Sequence, residues 1–353
     1  MNLTTTSKRP IVISGPCSAE TEEQVMQTAK RLKQAGNISI LRAGIWKPRT
    51  RPNSFEGVGE VGLNWLVNAG KEIGVPVITE VANTKHVEQA LKAGLKKLWI
   101  GARTTVNPFA VQEIADAIKG TDIEVLVKNP INPDLNLWIG AIERIKNAGL
   151  EHVHAIHRGF SSTQNKVYRN EPMWEIPLAL KQEFKDIKLI CDPSHITGRR
   201  DLLLPVSQKA MDLIYDGLMI ESHIDPDNAW SDAAQQITPE TLFDLLNQLV
   251  LRSESIEDAQ LKIDLAELRY SIDEIDSEIL ALIAKRMDIT KQIGVYKRAH
   301  EITILQPKRW KEIQQKQFGL ANKNKISIKF MAKYLEAIHQ ESIRHQTTVM
   351  NKK

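Results

Sequence analysis

Four side chains in this sequence carry the donor atoms of a divalent-metal site: Cys17, His195, Glu221 and Asp232. A thiolate, an imidazole and two carboxylates together suit divalent Mn, Fe, Co or Zn, with Mn2+ the first expectation, better than Mg or Ca, which favour oxygen-only shells. A lone cysteine is more often a small buried hydrophobe than a ligand. Position argues otherwise here, because each of the four lies just past a short apolar run or in the loop after the last one. Cys191 sits inside an apolar run and reads as core, while His223 is an alternative to Asp232 that spacing leaves open. Six cations occupy equivalent places: Arg42, Lys47, Arg49, Arg103, Lys128 and Arg158. Like charges gather in one cleft only when an anion neutralises them, and guanidinium forks match phosphate and carboxylate bidentately. The expected substrate is therefore small and multiply anionic.

The apolar runs that precede these residues are 11–14, 38–41, 75–79, 98–100, 125–127, 153–157, 188–190 and 218–220. Amphipathic stretches such as 22–34 and 86–93 separate them. Eight alternating strand and helix signals, each strand ending in reactive side chains, predict an α/β (β/α)8 TIM barrel with its active site at the C-terminal rim. The pattern stops after a helix at 239–251, giving a barrel domain over 1–252, a polar linker over 253–260 and a different unit over 261–353.

That second unit reads as all-α. Residues 261–298 contain no proline and one glycine, Gly294, and Leu265, Leu268, Ile272, Ile275, Ile279, Leu282, Ile289, Ile293 and Tyr296 recur in steps of three and four. This is a long helix with a coiled-coil-like seam. Pro307 opens a second helix over 308–319, and a third runs over 327–346 with Met331, Leu335 and Ile338 as its apolar stripe. Two short helices cannot cover so long a stripe, so the three-helix unit is expected to form an intertwined dimer. One seam position is Arg286. A buried arginine requires a carboxylate or a bound anion. Lys297 falls about 20° from it around the helix, whereas Arg269 falls about 100° away and would serve a different site, that of a second copy.

Bulk properties narrow the classes. The formal charge of +4 over 353 residues is modest, and the cations of the tail lie on a seam rather than in an exposed stripe with stacking aromatics, which disfavours nucleic-acid binding. No apolar segment reaches the ~20 residues that span a bilayer, and residues 1–10 lack the features of a signal peptide. Two cysteines fit a reducing cytoplasm.

The motifs carry a resemblance. Gly-Pro-Cys-Ser at 15–18, Leu-Arg-Ala-Gly-Ile-Trp-Lys-Pro-Arg-Thr at 41–50, Gly-Ala-Arg at 101–103, His-Arg-Gly at 157–159 and Cys-Asp-Pro-Ser-His at 191–195 resemble the compact β subtype of type I 3-deoxy-D-arabino-heptulosonate 7-phosphate synthase. The related 3-deoxy-D-manno-octulosonate 8-phosphate synthases share much of this but typically lack the Lys-Pro-Arg-Thr run. The resemblance implies condensation of phosphoenolpyruvate with erythrose 4-phosphate in aromatic amino-acid synthesis. It implies Cys17, His195, Glu221 and Asp232 as metal ligands, and Arg42, Lys47, Arg103, Lys128 and Arg158 as the phosphoenolpyruvate site. Arg49 and Thr50 would hold the aldose phosphate, with Lys47 as proton donor to the aldehyde oxygen.

Leu-Arg-Tyr-Ser-Ile-Asp at 268–273, followed by Arg286, Lys297, Arg309 and Gln346, resembles the all-α chorismate mutases. That likeness implies rearrangement of chorismate to prephenate. Arg286 and Arg309, with Arg269 of a second copy, would grip the carboxylates, and Lys297 and Gln346 would donate to the ether oxygen. The family usually places an acid or amide after the arginine of its second helix to hold the substrate hydroxyl. Here that residue is Trp310, with Gln306 the candidate to take over the contact. The rival expectations are a tail that only dimerises or senses a ligand, and an 8-phosphate synthase barrel.

Overall fold

All eight runs become strands: β1 (Ile11–Gly15), β2 (Ile40–Arg42), β3 (Val77–Val81), β4 (Lys97–Ile100), β5 (Glu124–Lys128), β6 (Val153–His157), β7 (Leu189–Cys191) and β8 (Gly217–Glu221). They pair in sequence order, all parallel, and close through β1 and β8, where Gly15 lies beside Glu221. The structure, a computed structural model, describes residues 10–47, 55–162, 167–253, 255 and 257–351. Arg49 and Thr50 lie outside the described residues.

Strand pleating decides which side chains meet. Successive residues point to opposite faces, so Ile11, Ile13, Ile40, Ile78, Trp99, Leu126, Ile156, Ile190 and Met219 fill the barrel interior. Their neighbours Val12, Leu41, Leu98, Val125 and Leu218 face outward and join the larger core under the helices. The helix Glu22–Ala35 shows why such segments coil: Thr21 caps it by accepting from the Gln24 amide at 3.1 Å, and Val25, Ala29 and Leu32 bury one face. Two residues beyond the interior layer, hence on the same face and ~7 Å higher, stand Arg42, Glu80, Lys128 and Glu221. Arg42, Lys128 and Glu221 are thus the last residues of their strands and not loop residues. Two residues below the layer, Lys97 and Glu124 form a buried ion pair, with His154 Nε2 3.6 Å from Glu124. Gly15 is required at the β1 exit, since its φ is +143° and a Cβ there would stand 2.1 Å from the Arg42 carbonyl oxygen.

The chain divides into two units, residues 1–254 and 255–353. The second comprises a long helix (Ala259–Ala299), a middle helix (Pro307–Lys323) and a last helix (Ile328–Met350). Asp258 and Ser327 cap the first and third by accepting from the Leu261 and Phe330 amides. The long helix therefore begins inside the stretch expected to be linker. The middle helix runs past Gly319, where it was expected to end, because Ala321 beyond it packs with Met331 and Leu335 in a small core that also takes Trp310, Ile313 and Phe318. Among the described residues no helix is long and apolar enough to cross a membrane.

Most of the long helix's seam is bare in the single chain: Leu268 is 65% and Leu282 62% exposed, and Ile272, Ile275, Ile279 and Ile289 are also exposed. At Gly294 the long and last helices pack closely, since a Cβ there would lie 3.2 Å from the Gln346 Cα.

Candidate active sites

Cys17, Glu221 and Asp232 place one ligand atom each within 4.8 Å of one another at the barrel rim. Cys17 hangs in the loop after β1, its amide donating to Gln236 Oε1 at 2.9 Å and its Sγ lying 3.3 Å from Asp232 Oδ2. Glu221 ends β8. Asp232 is held in the left-handed region, φ 48°, an unusual posture that an aspartate tolerates better than most side chains and that functional sites often retain. His195 stands beside this triangle, Nδ1 being 3.8 Å from Glu221 Oε1. His223 is turned away, pairing with Glu20 at 3.3 Å and accepting from the Asp225 amide.

The Asp-Pro-Ser-His run explains its own geometry. Asp192 is the N-cap of the short helix Pro193–Thr197, accepting from the His195 amide at 3.0 Å, and Pro193 fits the first turn. The same carboxylate accepts from His195 Nδ1 at 2.9 Å, which fixes the tautomer and leaves Nε2 with its lone pair. Ser194 accepts from the Glu221 amide at 3.0 Å, tying the β7 and β8 loops together.

Two polar groups orient the acidic pair. Gln235 Nε2 donates to Glu221 Oε2 at 2.7 Å, and Arg169 Nη1 donates to Asp232 Oδ1 at 3.0 Å and to Gln235 Oε1 at 2.7 Å. Arg42 lies 3.2 Å from Glu221 as a charge pair, but among the described residues no aligned hydrogen bond reaches Glu221 Oε1, a buried oxygen. A soft donor, two carboxylates and an unsatisfied buried oxygen are what a bound divalent ion would complete, so the residues fit a metal.

Electrostatics follow from this crowding. Burial, then Glu221, pushes the Cys17 thiol up to about 12, against the lowering effect of Lys47, whose Nζ sits 3.0 Å from Sγ. Burial pulls Lys47 down, but Cys17 and Glu221 outweigh it, so the ammonium titrates above its ordinary value. For Asp232 burial opposes ionisation, and His195, Arg169 and Lys47 together overcome it and hold the carboxyl far below the usual carboxylate range.

Beside the triangle opens a cleft of ≈ 230 Å³ lined by Glu80, Arg103, Lys128, Arg158, Arg169, Asn170 and His195. A second, of ≈ 350 Å³, is lined by Trp46, Lys47, Glu56, Glu80, Ala82, Asn83 and His86, with Trp46 stacked on His86 at 4.0 Å. The five expected cations among the described residues are not equivalent. Arg42 pairs with Glu221, and Lys128 with Asp192 at 2.8 Å, so both already have a carboxylate partner. Arg158 donates to Asn170 at 2.7 Å, and burial lowers it to about 10. Arg169 joins the cleft without having been expected. It lies outside any apolar run, so only its contacts identify it.

In the helical unit Arg286 Nη1 donates to Ser342 Oγ at 2.6 Å, and Lys297 Nζ donates to the Ile304 carbonyl at 2.6 Å. Gln346 is buried with its Oε1 unpartnered among the described residues. Arg309 is exposed and paired with Glu312 at 3.2 Å. Arg269 is exposed and lies seventeen residues before Arg286 on the same helix, ~25 Å away, so one chain does not bring them together. The expected stripe of Met331, Leu335 and Ile338 runs on into the buried Ser342, with Ile338 half-buried on one flank of it. His339, equally half-buried, lies on the other flank, its ring stacked on Trp310 at 3.9 Å.

A closed parallel barrel whose rim joins a sulfur–carboxylate cluster to a cation-lined cleft defines an enzyme of the phosphate-handling aldolase class, here carrying a second, all-α unit. Residues 3–257 match the model of the DAHP synthetase I family, and residues 268–347 match chorismate mutase type II. The chain belongs to the DAHP synthetase I family and carries a fused chorismate mutase domain, so it serves both activities in the shikimate pathway. It is 31% identical over 248 residues to a phospho-2-dehydro-3-deoxyheptonate aldolase of Thermotoga maritima, covering 70% of each chain. It is 27% identical over 266 residues to a 2-dehydro-3-deoxyphosphooctonate aldolase of Desulfotalea psychrophila, covering 70% of this chain and 91% of that one. The solved Thermotoga maritima phospho-2-dehydro-3-deoxyheptonate aldolase superposes with a TM-score of 0.61 at 29% identity, over 68% of this chain and 67% of that one. A truncated form of the 3-deoxy-D-arabino-heptulosonate 7-phosphate synthase from the same organism gives 0.59 at 27% identity, over 68% and 84%.

Proposed function

We propose that the barrel joins phosphoenolpyruvate to erythrose 4-phosphate at a divalent ion, Mn2+ first among Mn, Fe, Co and Zn, held by Cys17, His195 Nε2, Glu221 and Asp232. The unsatisfied Glu221 oxygen inside a sulfur–carboxylate triangle carries this reading. When bound, the ion supplies Lewis-acid polarisation of the aldehyde oxygen. The chain's own residues do the rest. Arg103, Lys128, Arg158 and Arg42 hold the phosphate and carboxylate of phosphoenolpyruvate, and Arg169, bridging to Asp232, reaches the same cleft. Preorganised cations there stabilise the charge that develops when the enol carbon attacks the aldehyde and water adds at the neighbouring carbon, which then expels its phosphate as inorganic phosphate to leave the keto group. Lys47, charged at neutral pH, donates a proton to the aldehyde oxygen, and Arg49 with Thr50 holds the aldose phosphate.

In the helical unit Arg286 and Arg309 of one copy, with Arg269 of a second, bind the two carboxylates of chorismate, while Lys297 and Gln346 donate to the ether oxygen as its bond breaks. Positioning and fixed donors suffice for this rearrangement. The bare seam supports a homodimer, since so long a run of exposed Leu and Ile does not persist against water. The reaction partners are soluble anionic metabolites and the protein works in the cytoplasm. A mutase ligand, prephenate or chorismate, regulates the synthase; synthase rates unchanged by saturating prephenate would remove that part. The deciding experiment assays both activities before and after a chelator: synthase turnover should vanish and return with Mn2+, and mutase turnover should not move.

A further inference from the structure

The inner face of the last helix buries Met331, Leu335, Ser342 and Gln346, and His339 lies half-buried on its flank, four residues after Leu335 and three before Ser342. Its first two members lie in the apolar core with Trp310, and its last two are buried against the long helix at Arg286 and Gly294. His339 is the junction between the apolar and polar ends. Its ring lies nearly parallel to the Trp310 indole, 13° between planes, which fixes the plane in which its two nitrogens can bond. Neither nitrogen has a hydrogen-bond partner among the described residues. Burial, and after it the Arg286 guanidinium, holds the imidazole below its ordinary value, so at neutral pH it offers one donor and one acceptor. Trp310, engaged in the core and in this stack, presents no acceptor. Gln306 is exposed at the N-cap of the middle helix.

We propose that His339 is a substrate-binding residue of the mutase, its Trp310-clamped imidazole hydrogen-bonding the ring hydroxyl of chorismate. The inference rests on Arg286, Ser342 and Gln346 lining the chorismate site. A donor–acceptor group beside a carboxylate-binding arginine suits an alcohol, which can accept from one partner and donate to another.

The test uses the full-length protein and steady-state chorismate kinetics. His339→Phe keeps the stack and removes both nitrogens, and should lower kcat/KM about tenfold with synthase turnover and thermal midpoint unchanged. His339→Gln restores a donor and an acceptor and should recover most of that loss. Against a chorismate analogue lacking the ring hydroxyl, the parent and His339→Phe should turn over alike. Kinetics of His339→Phe within twofold of the parent would overturn the proposal, as would a gap that persists with the hydroxyl-free analogue. Arg286→Ala separates the two levels. If it is fully active the site itself is misassigned, whereas a dead Arg286→Ala beside an unimpaired His339→Phe refutes only the histidine.

Discussion

Replacing Gln235 with leucine removes the one aligned hydrogen bond that the Glu221 carboxylate has among the described residues, since Oε2 accepts from Gln235 at 2.7 Å and Oε1 has none there. A hydrogen bond to a charged group contributes about 1.5–3 kcal/mol. At about 1.4 kcal/mol per decade, an unsteadied Glu221 should bind a divalent ion roughly 10–100-fold more weakly, the range typical when an outer partner of a ligand is lost. Gln235 is buried and also accepts from Arg169, so the variant should loosen Asp232 as well. The assay is competition of the metal-stripped protein with a chromophoric chelator for Mn2+ or Co2+, mutase turnover serving as the check that the chain is intact. Affinity within twofold of the parent, with the mutase unaffected, would refute the claim that Gln235 orients Glu221.

The remaining expectations concern chemistry, assembly and acid stability. Lys47→Met should cut synthase turnover by about 10²–10⁴ while changing phosphoenolpyruvate affinity far less, as expected for loss of a proton donor; turnover equal to the parent in single-turnover assays would rule that role out. Ile279→Glu, on the bare seam, should give monomers in sedimentation and abolish mutase turnover by withdrawing Arg269 of the second copy, leaving the synthase active. Burial holds His154 at about 4 and His157 at about 3, with Tyr215 donating to His157 Nδ1 and Nε2 donating to the Pro172 carbonyl. Both folded values lie below the unfolded one, so the unfolded chain binds more protons and stability falls as pH drops from about 6.5 toward 4. The slope is up to about 1.4 kcal/mol per pH unit for each histidine. Urea midpoints flat across that window would contradict it.

Strand order and the reactive strand ends were legible because pleat alternation and residue type are local properties. Arg42, Lys128 and Glu221 announce themselves as charged residues closing apolar runs. What they pair with is not local: the Arg42–Glu221 and Lys128–Asp192 partnerships depend on which strands become neighbours across the barrel. Arg169 sits in an irregular loop and Gln235 in the single 3-10 turn Ala233–Gln235, both too short of periodicity to mark a side chain as inward, and so they escaped notice. Ile338 and His339 flank the same buried face, and only the apolar one registers in a hydrophobic pattern; the Trp310 stack that marks His339 is a contact between helices and not a local property. Arg286 stood out as a charge in an apolar seam, and Ser342 then proved to be its partner.

Below the rim the barrel is plugged twice, by the layer of Ile13, Trp99, Met219 and their neighbours and then by Lys97, Glu124 and His154. Such a chamber has one door. Reactants and products share it, because the filled bottom of the cylinder closes the other route.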